Sequence, residues 1–219
     1  GLETLVIEKE KTFGTATSSR NSGVIHAALY YPTGSLKHRL CLLGKDLLYR
    51  YCESRGIPTD RCGKIVVATS LQQSTKLMAL YAKAQENGVE GLRWLSQDEM
   101  TEMEPEVLYH TAFLSPDSGI LDTFAYLSSL EGEVRDAGGM IAYNTCVRSI
   151  VSTGNELHVL ADDGAAIAVA APVVINAAGH GAIGIATRTQ GLASAFVPRQ
   201  SYAKGNYFSL VGRQPFKHL

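Results

Sequence analysis

The sequence has little charge and no excess of either sign. Lys and Arg number 20 against 21 Asp and Glu, which gives a formal net charge of −1, and charged residues make up only 19% of the chain. Because nucleic-acid-binding domains carry a strongly basic face, this composition argues against a nucleic-acid partner. The 219 residues are 45% hydrophobic, so the chain can bury one good core or two small ones.

Cysteine and histidine lack the spacing that a disulfide framework or a metal site requires. The four cysteines form no Cys-x-x-Cys pair, and Cys41 and Cys52 fall within one predicted helix. We therefore expect no disulfide framework, and a reducing compartment fits. The six histidines are scattered along the sequence, so no metal site is predicted.

No long apolar run is free of helix breakers. Residues 164–187 carry no formal charge, which is long enough to raise the question of a membrane span. Pro172, Asn176 and later glycines interrupt the run. We predict a buried strand over 173–176, a turn, and a helix near 180–188.

Hydrophobic periodicity and capping residues predict alternating helices and strands elsewhere. Helices are predicted over 36–55, 71–87 and 123–137, with a brief one after the Ser96–Glu99 capping box. Strands are predicted over 5–7, 64–68, 92–95, 111–115, 146–152, 156–161, 165–170 and 205–210. The three strands between 146 and 170 have short turns, including one at 153–155, and should form an antiparallel meander.

The first long helix has a clear apolar repeat. Its apolar side chains recur at three- and four-residue spacing, which predicts the buried face: Leu36, Leu40, Leu43, Leu47 and Tyr51. The solvent face is predicted to carry Lys37, His38, Lys45 and Asp46.

The most informative stretch lies between Gly14 and Pro32. Five short polar side chains stand beside backbone that Gly14 and Gly23 leave flexible: Thr17, Ser18, Ser19, Asn21 and Ser22. His26 follows, with two alanines and the Tyr30-Tyr31 pair behind it. The pattern suits a flat, phosphate-bearing ligand; the alternative is a polar surface loop with a structural histidine.

Two further segments favour a nucleotide site. Glu8 ends the apolar run Leu5-Val6-Ile7, and the acid closing the second strand of a dinucleotide-binding unit accepts hydrogen bonds from ribose. The predicted strand ending at Asn176 runs into Ala177-Ala178-Gly179, whose small side chains would let a cofactor approach the backbone. We predict that three places converge on one groove: Glu8, the hydroxyl-rich segment at 17–22, and Gly179.

Six segments carry a family resemblance: TSSRNSGVIHA, SLKHRLCLLGKDLLYRYC, GKIVVATS, SPDSGILD, VINAAG and KGNYFSL. In this order they resemble the FAD-dependent oxidoreductases of the D-amino-acid oxidase and glycerol-3-phosphate dehydrogenase superfamily, and within it most of all the L-2-hydroxyglutarate oxidase and dehydrogenase family. The resemblance implies a mixed α/β (α+β) fold, in which a Rossmann-like FAD-binding domain interleaves with a smaller mixed-sheet substrate domain. The implied FAD-binding parts are 1–63 and 122–195, and the substrate parts are 64–121 and 196–219, although one domain remains an alternative.

The resemblance also implies a chemistry. It is the FAD-dependent oxidation of an L-2-hydroxy acid, L-2-hydroxyglutarate to 2-oxoglutarate, with oxygen or a quinone as electron acceptor. His26 is then a flavin neighbour or covalent tether, a catalytic base, or a structural residue. The implied location is cytoplasmic, with peripheral association at the inner membrane left open.

The resemblance assigns roles to particular positions. FAD-binding residues would be Glu8, Thr17, Ser18, Ser19, Asn21, Ser22, His26, Val147, Ala177, Ala178 and Gly179. Substrate carboxylates would meet Tyr31, Lys204 and Tyr207, although an edge strand with a solvated lysine explains the last two equally well.

The first residues of this sequence do not contain the phosphate-binding turn that the resemblance leads us to expect. Members of this superfamily begin with a strand and a G-x-G-x-x-G turn that seats the pyrophosphate on a helix N-terminus. We therefore expect an internal fragment that purifies without flavin. The alternatives are a catalytically silent piece or interaction module, and a sister flavoenzyme acting on glycerol 3-phosphate or an amino acid.

Overall fold

The computed structural model describes residues 2–154, 156–208 and 210–219. The chain divides into two compact units, the first formed by residues 1–20 and 127–207 and the second by residues 21–126 and 208–219. The predicted mixed α/β class is confirmed. Which residue ranges form an FAD-binding and which a substrate domain stays a prediction.

The described residues contain five α-helices and twelve short strands. The helices are α1 (Leu36–Arg55), α2 (Leu71–Glu86), α3 (Gln97–Met103), α4 (Thr123–Asp136) and α5 (Ala182–Thr187). The strands are β1 (Leu5–Ile7), β2 (Val24–Ile25), β3 (Thr59–Asp60), β4 (Lys64–Ala68), β5 (Arg93–Trp94), β6 (Thr111–Ser115), β7 (Gly119–Leu121), β8 (Met140–Ala142), β9 (Cys146–Ser152), β10 (Leu157–Asp162), β11 (Ala166–Ala171) and β12 (Thr189–Gln190).

Serine side chains start three of the helices, as the sequence predicts. Ser35, Ser70 and Ser96 each accept a hydrogen bond from the backbone N–H three residues later. At Ser96 the capping box with Glu99 is complete. Helix α1 ends at Gly56, whose left-handed φ of 63° an ordinary side chain seldom adopts. These local signals explain why the predicted helix bounds are confirmed.

The second unit is built from two antiparallel three-stranded sheets. Strand β7 lies between β2 and β3, and β6 lies between β4 and β5. The core of this unit surrounds the fully buried Phe113 on β6 and includes Leu77 and Ala84 of α2. Tyr81 and Trp94 stack at 4.7 Å and both meet the Phe113 ring edge-on. The helical spacing of Leu77, Leu80, Tyr81 and Ala84 predicts this inward face of α2, and the packing confirms it.

The face predicted for α1 is wrong. The four leucines predicted for that face (36, 40, 43 and 47) are 50% to 70% exposed, whereas His38, Tyr49 and Cys52 are buried. Lys45 also turns inward, with Nζ 2.6 Å from the Asp117 carboxylate. Periodicity shows that the two faces of a helix differ, but the polar partners supplied by the rest of this unit determine which one is covered.

The first unit contains a two-stranded and a four-stranded sheet. Strands β1 and β8 pair in parallel, and β9, β10 and β11 form the predicted antiparallel meander, which β12 extends in parallel beside β9. Of the predicted turn at 153–155, Asn155 lies outside the described residues. Leu5 and Val6 were expected to be buried but are more than a third exposed, since their sheet has only two strands.

Two predicted strands are wrong. Residues 173–176 form no strand, and Val173 and Ile175 are 71% and 85% exposed. Residues 205–208 and 210 form no strand either, and Ser209 lies outside the described residues. Apolar residues favour a strand, but a strand also needs a neighbour for its N–H and C=O groups. None of the described helices is long and apolar enough to cross a bilayer.

Candidate functional site

Five side chains of the second unit form what we call the His26 surface: His26, Tyr30, Tyr31, Lys37 and Lys64. His26 directly follows β2, Lys37 lies in the first turn of α1, and Lys64 begins β4. Lys37 Nζ is 4.6 Å from the centre of the Tyr31 ring, and Lys64 Nζ is 5.9 Å from the centre of the Tyr30 ring. His26 and Tyr30 are exposed to solvent, so a small ligand can reach them.

Asn87 fixes the backbone that carries the two tyrosines. This side chain is 1% exposed, and its amide nitrogen donates to the carbonyls of Ala28 (3.1 Å) and Tyr31 (3.0 Å). Its amide oxygen accepts from the Thr33 hydroxyl at 2.7 Å. Since every one of these partners lies between β2 and α1, Asn87 holds that connection in a single conformation.

His38 completes this network from the start of α1. Its Nε2 donates to the Asn87 carbonyl at 2.8 Å, while its Nδ1 accepts from the Gly34 N–H at 3.0 Å. One neutral tautomer satisfies both contacts. Sequence reasoning missed Asn87 and placed His38 in solvent; Asn87-Gly88 has the pattern of a helix end, but its distant partners have no signature in the sequence.

Burial and neighbouring positive charge both favour the neutral form of His26. Partial burial and then the charges of Lys64 and Lys37 lower the pKa of His26 below its ordinary value of 6.5. Burial also lowers the pKa of Lys64 and raises the pKa of Tyr30 and Tyr31. At neutral pH the imidazole is therefore uncharged and able to accept a proton, while both phenols remain hydrogen-bond donors.

In the first unit, Glu8 directly follows β1, and its role as a ribose acceptor stays a prediction. It stands at the end of β1, where its backbone N–H donates to the Ala142 carbonyl. One carboxylate oxygen accepts from the Glu10 N–H at 2.9 Å. The other oxygen has no hydrogen-bond partner among the residues that the structure describes, so it is available to a ligand.

The hydroxyl-rich segment divides between the two units. Thr17, Ser18 and Ser19 form an exposed 3₁₀ turn of the first unit, which the sequence did not predict. Asn21 and Ser22 belong to the second unit and are exposed, with Asn21 Oδ1 accepting from the Gly23 N–H at 2.7 Å. The expectation about the flanking glycines is met, since Gly14 and Gly23 have φ values of 71° and 66°.

The small-residue turn at 177–179 is open on its outer side. Ala177, Ala178 and Gly179 are exposed, and a Cβ on Gly179, whose φ is 53°, would have no atom within 4 Å. Asn176 anchors the turn by donating to the Ala182 carbonyl at 2.8 Å. The outer side of Gly179 is therefore open to a ligand.

The turn also contains a spacing that the sequence analysis overlooked. Gly179, Gly181 and Gly184 match G-x-G-x-x-G. The residues before them form no strand, however, and the helix that follows has only six residues. The motif binds a pyrophosphate only between a strand and a full helix, so here the spacing alone predicts nothing.

The remaining predicted residues lie in the first unit. Val147 is half-buried in β9, opposite Ala161 of β10. Lys204 and Tyr207 are exposed and lie outside helices and strands. The role of each of these residues, and the convergence of Glu8, the hydroxyl-rich segment and Gly179 on one groove, stay predictions.

Comparison with known proteins decides the family. A family model described as DAO, FAD dependent oxidoreductase, matches residues 1–216. The chain belongs to this family. A sequence relative is the mitochondrial L-2-hydroxyglutarate dehydrogenase of Arabidopsis thaliana, 37% identical over 249 residues, covering 100% of this chain and 52% of the relative. The human protein of the same name is 39% identical over 145 residues, covering 66% and 31%.

Solved structures support the same fold. The L-α-glycerophosphate oxidase of Mycoplasma pneumoniae with FAD bound matches with a TM-score of 0.80 at 24% identity, covering 87% of this chain and 51% of that one. Glycine oxidase of Geobacillus kaustophilus matches with a TM-score of 0.73 at 25% identity, covering 84% and 50%. The chain spans about half the length of the first of the curated relatives.

Proposed function

We propose that this chain supplies the His26 surface and part of the FAD site of an enzyme that oxidises L-2-hydroxyglutarate to 2-oxoglutarate. The observation that carries the proposal is an exposed histidine close enough to Lys64 and Lys37 for their charges to lower its pKa, with those two lysines over the rings of Tyr30 and Tyr31. Relatives at 37% to 40% identity that are named L-2-hydroxyglutarate dehydrogenase support the choice of substrate. Oxygen or a quinone is the proposed electron acceptor, and the cytoplasmic location stays a prediction.

FAD is the cofactor of the family, and residues of the first unit fit parts of it. Glu8 has a carboxylate oxygen available for ribose hydroxyls, and the open turn at Gly179 can meet the ligand with its backbone. The exposed 3₁₀ turn at 17–19 and the backbone of Val147 would add further contacts. When bound, FAD supplies the two-electron oxidation of the alcohol carbon.

The protein side of the reaction is a proton transfer and the binding of two carboxylates. His26 Nδ1 or Nε2 would accept the hydroxyl proton, for which an uncharged imidazole at neutral pH is suited. Tyr31, Lys204 and Tyr207 would bind carboxylates through charge-assisted or hydroxyl hydrogen bonds. A position beside the flavin, with or without a covalent link, is compatible with this role of His26.

The test uses the holoenzyme that contains this chain. We expect oxidation of L-2-hydroxyglutarate in preference to its D-enantiomer, glycerol 3-phosphate and amino acids, measured with an artificial electron acceptor. Replacing His26 by Gln should lower kcat by about 10²- to 10⁴-fold with little change in KM. Preference for glycerol 3-phosphate or an amino acid would refute the substrate, and a normal kcat for H26Q would refute the base. The mass of the denatured holoenzyme shows whether flavin is attached covalently.

A further inference from the structure

Two lysines of the His26 surface lack the carboxylate partner that Lys45 and Arg93 have in the same unit. Lys45 and Arg93 each form an ion pair, with Asp117 and Glu99 respectively. Lys37 and Lys64 have no carboxylate within 4.0 Å among the described residues. Their ammonium groups lie instead over the rings of Tyr31 and Tyr30, which are neighbours in the sequence. Both positive charges are therefore left without a counter-charge on one small area.

Lys37 stands at a position where helix electrostatics oppose it. It lies in the first turn of α1, which contains no acidic residue, so its charge adds to the positive end of a 20-residue helix. Acidic residues are the favoured choice at such a position. A local conflict of this kind is expected where a residue serves a site rather than the stability of its helix.

The charges of both lysines extend to His26. Each of them lowers the pKa of the imidazole, so all three groups share one region of positive potential. Lys64 is half-buried, so water solvates its ammonium group incompletely, and this burial lowers its pKa. An anion that replaces the missing solvation would gain more here than at a fully hydrated lysine.

We propose that Lys37 and Lys64 form a binding subsite for one carboxylate of the substrate beside His26. The identity of the acid rests on the function proposed above, whereas the subsite itself rests on the charges and contacts of this chain. Two ammonium groups supply point charges that can each attract a carboxylate oxygen. The protonated hydroxyls of Tyr30 and Tyr31 can donate to the same anion.

Binding can be measured on the full chain with glutarate, a dicarboxylate that carries no oxidisable hydroxyl. The probe is titrated at constant ionic strength, because screening weakens exposed charge pairs. NMR signals of the His26 ring report the binding, and its pKa should rise when the anion arrives. We expect Lys37→Met to weaken glutarate binding about threefold and Lys64→Met about tenfold, since Lys64 is the less hydrated of the two.

Two further variants and a second probe sharpen the test. Lys76→Met removes an exposed lysine of α2 and should leave glutarate binding unchanged. Lys64→Arg keeps the charge and should retain binding. Equal affinities for the wild type, K37M and K64M would overturn the subsite. Inorganic phosphate that competes with glutarate at equal concentration would overturn its assignment to a carboxylate.

The holoenzyme separates this proposal from the proposed function. With L-2-hydroxyglutarate, K64M should raise KM about tenfold while kcat changes less. Normal turnover with unchanged KM in both K37M and K64M would refute the subsite alone. A holoenzyme that does not oxidise L-2-hydroxyglutarate, in a chain that still binds glutarate through these lysines, would refute the function and support the subsite.

Discussion

Asn87 connects the end of α2 to the two tyrosines through a buried amide that makes hydrogen bonds to three different residues. A polar group in such a position stabilises a fold only while every partner is present, because each carbonyl left alone in the interior costs about 1–3 kcal/mol. The side chain therefore supports both the stability of the second unit and the position of its exposed rings.

Replacing Asn87 by Ala should lower the free energy of unfolding by about 2–4 kcal/mol, since the Ala28 and Tyr31 carbonyls and the Thr33 hydroxyl lose their partner. Asn87→Asp keeps the acceptor for Thr33 but removes both donors, so it should be about as destabilising. Urea unfolding of the full chain measures both. The matched control is the exposed Asn206→Ala, which should change stability by less than about 0.5 kcal/mol. An N87D protein as stable as the wild type would contradict this account.

The buried Glu104 makes the stability of the second unit depend on pH through its contacts with Lys217 and His218. It is 3% exposed, and its Oε1 accepts from the backbone N–H groups of Lys217 and His218 and from the His218 ring at 2.7–2.8 Å. Burial alone would raise the pKa of this carboxyl, but the three hydrogen bonds outweigh it and bring the pKa below 4.5. The stabilisation is therefore present above the ordinary pKa and is lost as the pH falls through the lowered one.

Glu104→Gln should destabilise the second unit at neutral pH by about 1–3 kcal/mol. The substitution removes a charged acceptor, and the NH2 group of the new glutamine is buried without a partner. The same variant should lose less stability than the wild type as the pH falls from about 5 through the lowered pKa of Glu104, since the protonation step is gone. Chemical unfolding at several pH values gives both numbers. The neighbouring exposed Glu106→Gln is the control, and equal pH slopes for E104Q and wild type would exclude Glu104 as the source.

At the scale of elements, α1 shows what a sequence determines locally. The Ser35 cap and Gly56 fix its ends within a few residues, so its bounds followed from the sequence. Its covered face depends on the bonds of His38 to Asn87 and of Lys45 to Asp117, which span 49 and 72 positions. The strand predicted over 173–176 is wrong for a similar reason, because an apolar run does not reveal whether a strand partner exists.

The same distinction between local sequence and distant contacts applies to the candidate site. His26, Tyr30 and Tyr31 lie within one short stretch, so the sequence could single them out. Lys37 and Lys64 reach them only through the second unit's tertiary structure, as does Asn87. Local pattern therefore found the proposed proton acceptor, whereas its charged and supporting neighbours are evident only from the tertiary structure.

The inverted face of α1 gives a matched pair of substitutions. Leu40→Ala removes a side chain that is 61% exposed, so it should change the free energy of unfolding by less than about 0.5 kcal/mol. Leu77→Ala makes the same chemical change at a 5% exposed position of α2 and should cost about 2–5 kcal/mol. Urea unfolding distinguishes them. Comparable losses for L40A and L77A would show that the leucine face of α1 is covered in solution.

For the whole molecule, pyrophosphate binding is the weakest part of the FAD site. The sole G-x-G-x-x-G spacing in the sequence, at 179–184, lacks the preceding strand and a helix of normal length. Each charged hydrogen bond to a phosphate contributes about 1.5–3 kcal/mol, so losing several lowers affinity by about 10³-fold or more.

We therefore expect the 219-residue chain, purified alone, to be colourless. Gel filtration after incubation with excess FAD, followed by a visible absorption spectrum, tests this directly. A yellow protein with a flavin spectrum would mean that the ribose and hydroxyl contacts suffice for binding. Glu8→Gln in such a yellow protein would then show how much the carboxylate contributes.

Ala28 adopts a φ of 61°, a left-handed conformation that costs a residue with a Cβ about 1–3 kcal/mol. Only the surrounding structure keeps the chain there, and the amide of Asn87 on its carbonyl is part of that restraint. This strained residue lies two positions before Tyr30. A mutation that loosens the restraint would let the backbone relax and move both phenol rings to new positions. The chemistry proposed for His26 can therefore change through residues that never touch a ligand.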